Sequence, residues 1–204
     1  MDAKELPALP WYVTVVLALV FVLSLVGLGY ENYRAGAGPG DLALSSLMLA
    51  LPVGLMCFSI GLLVVCVRRR NQGQLSGRLV AWLVRLPRVA AILFIFFLTL
   101  FSLDVFGMEG SFWMKLGGFV IHSIPSILLV IALVLAWRWP WVGFGVFMLA
   151  ALFFLRSMIF NPLQGLGMIA IFTGPLASIA LLFGAAWLWR KELHGEANPP
   201  AAGS

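Results

Sequence analysis

Residues 42–67 read LALSSLMLALPVGLMCFSIGLLVVCV, an uncharged run that ends at Arg68, Arg69 and Arg70. At about 1.5 Å of rise per residue, a helix of this length covers the roughly 30 Å hydrocarbon core of a bilayer. Five more apolar runs lie on either side of it: Trp11–Tyr30, Val89–Phe106, Leu116–Trp137, Trp141–Phe160 and Leu166–Trp189. The pattern predicts an all-α protein, a polytopic transmembrane helical bundle of six spans.

The composition of the whole 204-residue chain agrees. Hydrophobic residues make up 62% and charged residues 10%, with a mean hydropathy of +1.05. A soluble domain carries about 25% charge. The longest polar stretch, Arg68 to Arg78, is too short to bury a core. The expected organisation is an amino-terminal two-span hairpin over 1–70, a cytoplasmic connector over 71–88, a four-span membrane domain over 89–191, and a disordered cytoplasmic tail over 192–204. The tail includes Asn198-Pro199-Pro200. A cleaved signal peptide is an alternative for the amino terminus, because Ala35-Gly36-Ala37 resembles a small-residue cleavage site. However, the first apolar run is too long, and Asp2 and Glu5 offset Lys4.

Orientation follows from the cations, since short cytoplasmic loops are rich in Lys and Arg. With the amino terminus inside, the inner segments hold Lys4, Arg68, Arg69, Arg70, Arg78, Arg85, Arg88, Arg138, Arg190 and Lys191, ten of the thirteen cations. Arg34, Lys115 and Arg156 fall outside. Six spans then leave both termini in the cytoplasm of a cell with an inner membrane. The net charge of +5 is explained by this topology and by anionic lipid headgroups at the cytoplasmic face, so no nucleic-acid partner is expected.

Tryptophans mark the span boundaries. Trp11, Trp82, Trp113, Trp137, Trp139, Trp141, Trp187 and Trp189 all lie at or beside a proposed end, the depth that suits an amphipathic ring. Trp137-Arg138-Trp139-Pro140-Trp141 reads as a tight interfacial turn, with Pro140 able to open the next helix. Between spans two and three, Leu75, Leu79, Trp82, Leu83 and Leu86 recur at helical spacing opposite Arg78 and Arg85. This predicts a short interfacial amphipathic helix, broken from the third span at Pro87. It either anchors the loop on lipid or docks a partner.

Several motifs together resemble a known family. They are Phe101-Ser102-Leu103-Asp104-Val105-Phe106, then Phe112-Trp113, then the stretch Gly118 to Ser126 containing Ile121-His122-Ser123-Ile124-Pro125-Ser126, and finally Ala136-Trp137-Arg138-Trp139. In this order they resemble an uncharacterised family of small bacterial four-helix membrane proteins, a domain of unknown function. The resemblance covers about residues 79–190. It implies four helices ending in the cytoplasm and no activity.

The ionisable residues inside the spans are Asp104, His122 and Arg156. Each is costly in hydrocarbon, about 2.5–3.5 kcal/mol on insertion scales, and is a functional candidate for that reason. All three fall in the outer half, with His122 about 9 Å deep. Asp104 and Arg156 are expected to pair, and His122 either joins them or binds a freed backbone carbonyl. Pro125 frees such a carbonyl at Ile121, where Ser123 and Ser126 stand ready to repair the ladder. Pro52 and Pro175 are expected to bend the second and sixth helices. The His122–Pro125 motif reads either as structural or as a ligand or proton site.

Three function classes are open to such a chain. Transport needs a continuous polar pathway, yet the cytoplasmic halves of the spans carry no Asp, Glu, His or Lys, and Asp104 lies about 200° from Ser102 around its helix. An enzyme fares worse. His122 and His194 are separate, so no metal or haem site and no cofactor is expected. Cys57 and Cys66 are too far apart on one helix to bridge, and Gly165 to Ala170 matches a dinucleotide fingerprint by letter but follows no strand. Small-residue pairs such as Ala180 with Gly184, Cys57 with Gly61 and Gly27 with Gly29 suit close helix packing. The expected function is a non-enzymatic scaffold or accessory membrane protein. The alternative is a small-molecule or ion transporter or binding protein built on the polar cluster around His122. A homo-oligomer or a membrane-protein partner fits either reading.

Overall fold

The computed structural model of the protein describes residues 10–34, 36, 38–74, 76–107, 109–160 and 169–190. Among them there are six α-helices and no strand. These are α1 (Trp11–Arg34), α2 (Pro39–Asn71), α3 (Gly77–Ser102), α4 (Phe112–Arg138), α5 (Pro140–Phe160) and α6 (Gly174–Leu188). A 3-10 turn, Leu103–Gly107, extends α3, and a π-helical turn, Ile169–Thr173, leads into α6. Four stretches are long and apolar enough to cross a membrane: Pro39–Asn71, Gly77–Gly107, Phe112–Arg138 and Ala170–Leu188. The expected tail over 192–204, His194 and most of the Gly165–Ala170 stretch lie outside the described residues.

The α3 helix departs from the expectation at Pro87. It starts at Ser76, whose hydroxyl accepts from the Leu79 backbone N–H at 3.4 Å, and runs through Pro87 without a break. Leu79, Leu83 and Leu86, expected to rest on lipid, are 3%, 0% and 4% exposed and belong to the protein core. They continue into Ala90, Ala91, Phe94 and Leu98 as one buried stripe. Periodicity at three and four residues identifies an apolar face but not what covers it. The amphipathic segment is therefore the first part of α3 rather than a separate helix.

The other prolines act locally. The α2 and α4 helices continue through Pro52 and Pro125. Before Pro175 the chain adopts the π-helical turn, as expected where a missing N–H disturbs the ladder just upstream.

The chain divides into two compact units, residues 1–74 with 149–178 and residues 75–148 with 179–204. In the first, α1 and α2 pack as a hairpin and the π turn packs on α2. The Cys57 thiol lies 3.5 Å from the Leu17 carbonyl, and the Arg68 guanidinium 3.5 Å from the Tyr12 hydroxyl. Phe154 and Phe172 stack with ring centroids 4.8 Å apart. In the second unit α3 packs on α4 and on the 3-10 turn. There α5 approaches very closely at Gly143: a Cβ at that position would lie 2.8 Å from Ala136 Cβ and 2.8 Å from the Phe183 ring. Only glycine leaves room for both neighbours.

Candidate functional site

Of the sequence candidates, Asp104, His122 and Ser126 lie on the α3–α4 pair and the turn that extends α3. Asp104 sits in the 3-10 turn and is exposed, with the chain no longer α-helical there. Lys115, in the first turn of α4, closes the loop by donating to the Phe106 carbonyl at 3.1 Å. His122 is exposed on α4, and its Nδ1 lies 3.0 Å from the carbonyl oxygen of Gly118, one turn back. A carbonyl can only accept, so Nδ1 is the donor in this contact. Gly118 itself faces the 3-10 turn closely enough that an added Cβ would lie 2.7 Å from Val105 Cγ1.

The inter-helix link comes from Ser102. This side chain is 3% exposed, and its hydroxyl lies 3.1 Å from both the Leu98 carbonyl on its own helix and the His122 carbonyl on α4. One hydroxyl proton serves two acceptors, so a back-bonding serine also ties α3 to α4. Nothing in the sequence pattern gives Ser102 a partner. Its signal was a small hydroxyl in an apolar helix, a type that bonds across membrane helix pairs.

Ser123 and Ser126 are buried on the same face of α4 on either side of Pro125, and neither hydroxyl has a hydrogen-bond partner among the described residues. The expected repair of the ladder by these serines is therefore not made. Ser59 and Thr173, both in the first unit, are likewise buried without partners there. Arg156 is exposed on α5 and falls in the first unit, whereas Asp104, His122 and Ser126 fall in the second. Both cysteines are free thiols, and among the described residues no group of three His, Cys, Asp or Glu is placed to hold a metal.

The proposed anchors separate by exposure. The rings of Trp82, Trp137, Trp139, Trp141 and Trp187 are 37–57% exposed, while Trp189 is 9% exposed and packs inside. Arg138 is exposed at the end of α4.

A family model described as Domain of unknown function (DUF7670) matches residues 76–194. Nothing among the curated proteins or the solved structures matches the chain.

Proposed function

The chain belongs to this family of unknown function, matched from the Ser76 cap of α3 onward, and on that premise we propose that it is a non-enzymatic scaffold or accessory protein of a bacterial inner membrane. All six helices cross the bilayer in this reading, including α1 with 24 residues and α5 with 21. The exposed Val15, Val16, Leu19, Leu23 and Val26 of α1 face lipid. Both termini are cytoplasmic, and Arg78 and Arg85 at the start of α3 meet the inner headgroups. The lipid bilayer is the constant partner, and a second copy or another membrane protein docks against it.

The observation that carries the scaffold reading is how the polar groups of the α3–α4 pair are used. Ser102 bonds the backbone of both helices, His122 bonds its own helix, and Thr99 bonds the Ile95 carbonyl at 2.9 Å. Of these groups only Ser102 links the two helices, and among the described residues these bonds form no chain leading along the pair. A second reading, a ligand or ion site at His122, draws on the buried unpartnered hydroxyls of Ser123 and Ser126 and the exposed imidazole of His122.

Cysteine substitutions along α4 from Lys115 to Ala136, probed in vesicles with a membrane-impermeant thiol reagent, separate the two. The scaffold reading expects labelling to stop near His122. Labelling that continues past Ser126 and Leu129 overturns it in favour of a water-filled path.

A further inference from the structure

Three chain segments of the second unit converge on one cavity of about 380 Å³: the first half of α3, the α4–α5 turn, and the end of α6 with the residues just after it. This volume is in the range of small-ligand pockets. Three guanidiniums line it, Arg88 from α3, Arg138 from α4 and Arg190 after α6, and no carboxylate lines it among the described residues. Arg88 is half-buried and donates to the Trp137 carbonyl at 3.4 Å, which holds its side chain toward the turn. Arg138 and Arg190 are exposed. Three like charges around one hollow repel each other until an anion enters, and the guanidinium fork matches phosphate oxygens.

The floor has a different chemistry. Ala136 is 0% exposed and Phe183 2%, with Pro87 and Ala186 also buried, while the indoles of Trp137, Trp139 and Trp187 form the walls. A hydrated inorganic anion would satisfy the arginines and leave this apolar floor empty. A molecule with a phosphate at one end and hydrocarbon at the other fills both. Indoles at such a rim sit where glycerol and headgroup meet.

We propose that this cavity binds the phosphate of an anionic phospholipid, with the guanidiniums on the phosphodiester and the first acyl carbons on the Ala136–Phe183 floor. The inference rests on the topology above, which places these helix ends on the cytoplasmic face. It makes the family domain a reader of one leaflet's lipid and not merely a passive span.

The test uses the purified full-length chain in detergent, titrated with brominated phosphatidylglycerol, brominated phosphatidylcholine or inorganic phosphate while tryptophan fluorescence is read. Phosphatidylglycerol should quench at lower concentration than phosphatidylcholine. Arg88→Gln, Arg138→Gln and Arg190→Gln should each weaken the phosphatidylglycerol curve about fivefold, since a surface arginine is worth roughly that toward anionic lipid. The phosphatidylcholine curve should move less, because choline offsets the charge of the same phosphodiester, and an unchanged circular dichroism spectrum shows the variants folded. Arg34→Gln, exposed, outside the cavity and on the outer side in this topology, should change neither curve. Equal quenching by the two lipids, or an unchanged preference in the three variants, overturns the site. Inorganic phosphate that relieves quenching at lipid-like concentrations overturns the amphiphile in favour of a soluble phosphate. A Trp139→Cys variant labelled in right-side-out and inverted vesicles reports separately which face the cavity opens to. Labelling from outside sinks the topology, and the lipid titration still judges the cavity.

Discussion

The Ser102 hydroxyl is the smallest group to which a helix–helix role can be assigned, and its partner explains why the sequence hid it. His122 stood out as an ionisable residue in an apolar run, but the atom of this residue that links α4 to α3 is its carbonyl oxygen, while the ring turns back to Gly118. Every residue has a carbonyl, so no side-chain pattern marks the one that accepts. The two substitutions therefore separate cleanly. Ser102→Ala should destabilise the protein by about 1 kcal/mol, the scale of inter-helix hydrogen bonds in membranes, as read by unfolding in mixed micelles. His122→Ala keeps the accepting carbonyl and alters only an exposed ring, so its effect should stay within about 0.5 kcal/mol. A larger loss for His122→Ala than for Ser102→Ala would mean that the imidazole, not the backbone, carries the link. Asp104 was legible as an ionisable residue near the end of an apolar run, but its 3-10 setting was not, because a turn that tightens at a helix end leaves no mark in hydropathy.

At the scale of elements, α5 carries a paired control. Gly143 and Gly145 lie two residues apart on the same helix, yet a Cβ at Gly143 meets Ala136 and Phe183 at 2.8 Å, while one at Gly145 meets nothing within 4 Å. Ala136 Cβ cannot rotate away, so Gly143→Ala should destabilise by about 1–3 kcal/mol through overpacking. Gly145→Ala should be neutral or stabilise by up to about 1 kcal/mol, since alanine is the better helix former. Thermal unfolding of the two variants side by side checks this, and equal behaviour would mean that α5 does not pack tightly at Gly143. The helices themselves were readable from apolar runs about twenty residues long. The interruption at Pro87 was misread because proline's penalty is set by its surroundings. Pro87 is buried within the same stripe as Leu83 and Leu86, and packing holds α3 through it. The Gly174-Pro175 signal did mark a real irregularity, which the chain takes up as a π turn just before α6.

For the molecule as a whole, the family match beginning at Ser76 agrees with the resemblance read from residue 79 and leaves α1 and α2 outside. The division into two units, which runs through both α5 and α6, had no sequence signal. Helices that are apolar all round offer no stripe to show which neighbour each turn will meet. An added pair of crossings preserves the orientation of the spans that follow, so α1 and α2 can precede the family domain without inverting it. The connectors allow the crossings to be counted. Gly36, Gly73 and Gly110 each have positive φ, at +81°, +64° and +148°, which marks them as turn residues between helices. Short tags inserted after residues 36, 73, 110, 139 and 165 should then report outside, inside, outside, inside and outside when read by antibody access in intact and opened cells. If α5 fails to cross, tags 139 and 165 report the same side. If α1 fails to cross, tag 36 reports the same side as the amino terminus. The arginines agree with full alternation, because paired crossings of α3 with α4 and of α5 with α6 return Arg138 and Arg190 to the side that holds Arg68–Arg70 and Arg88.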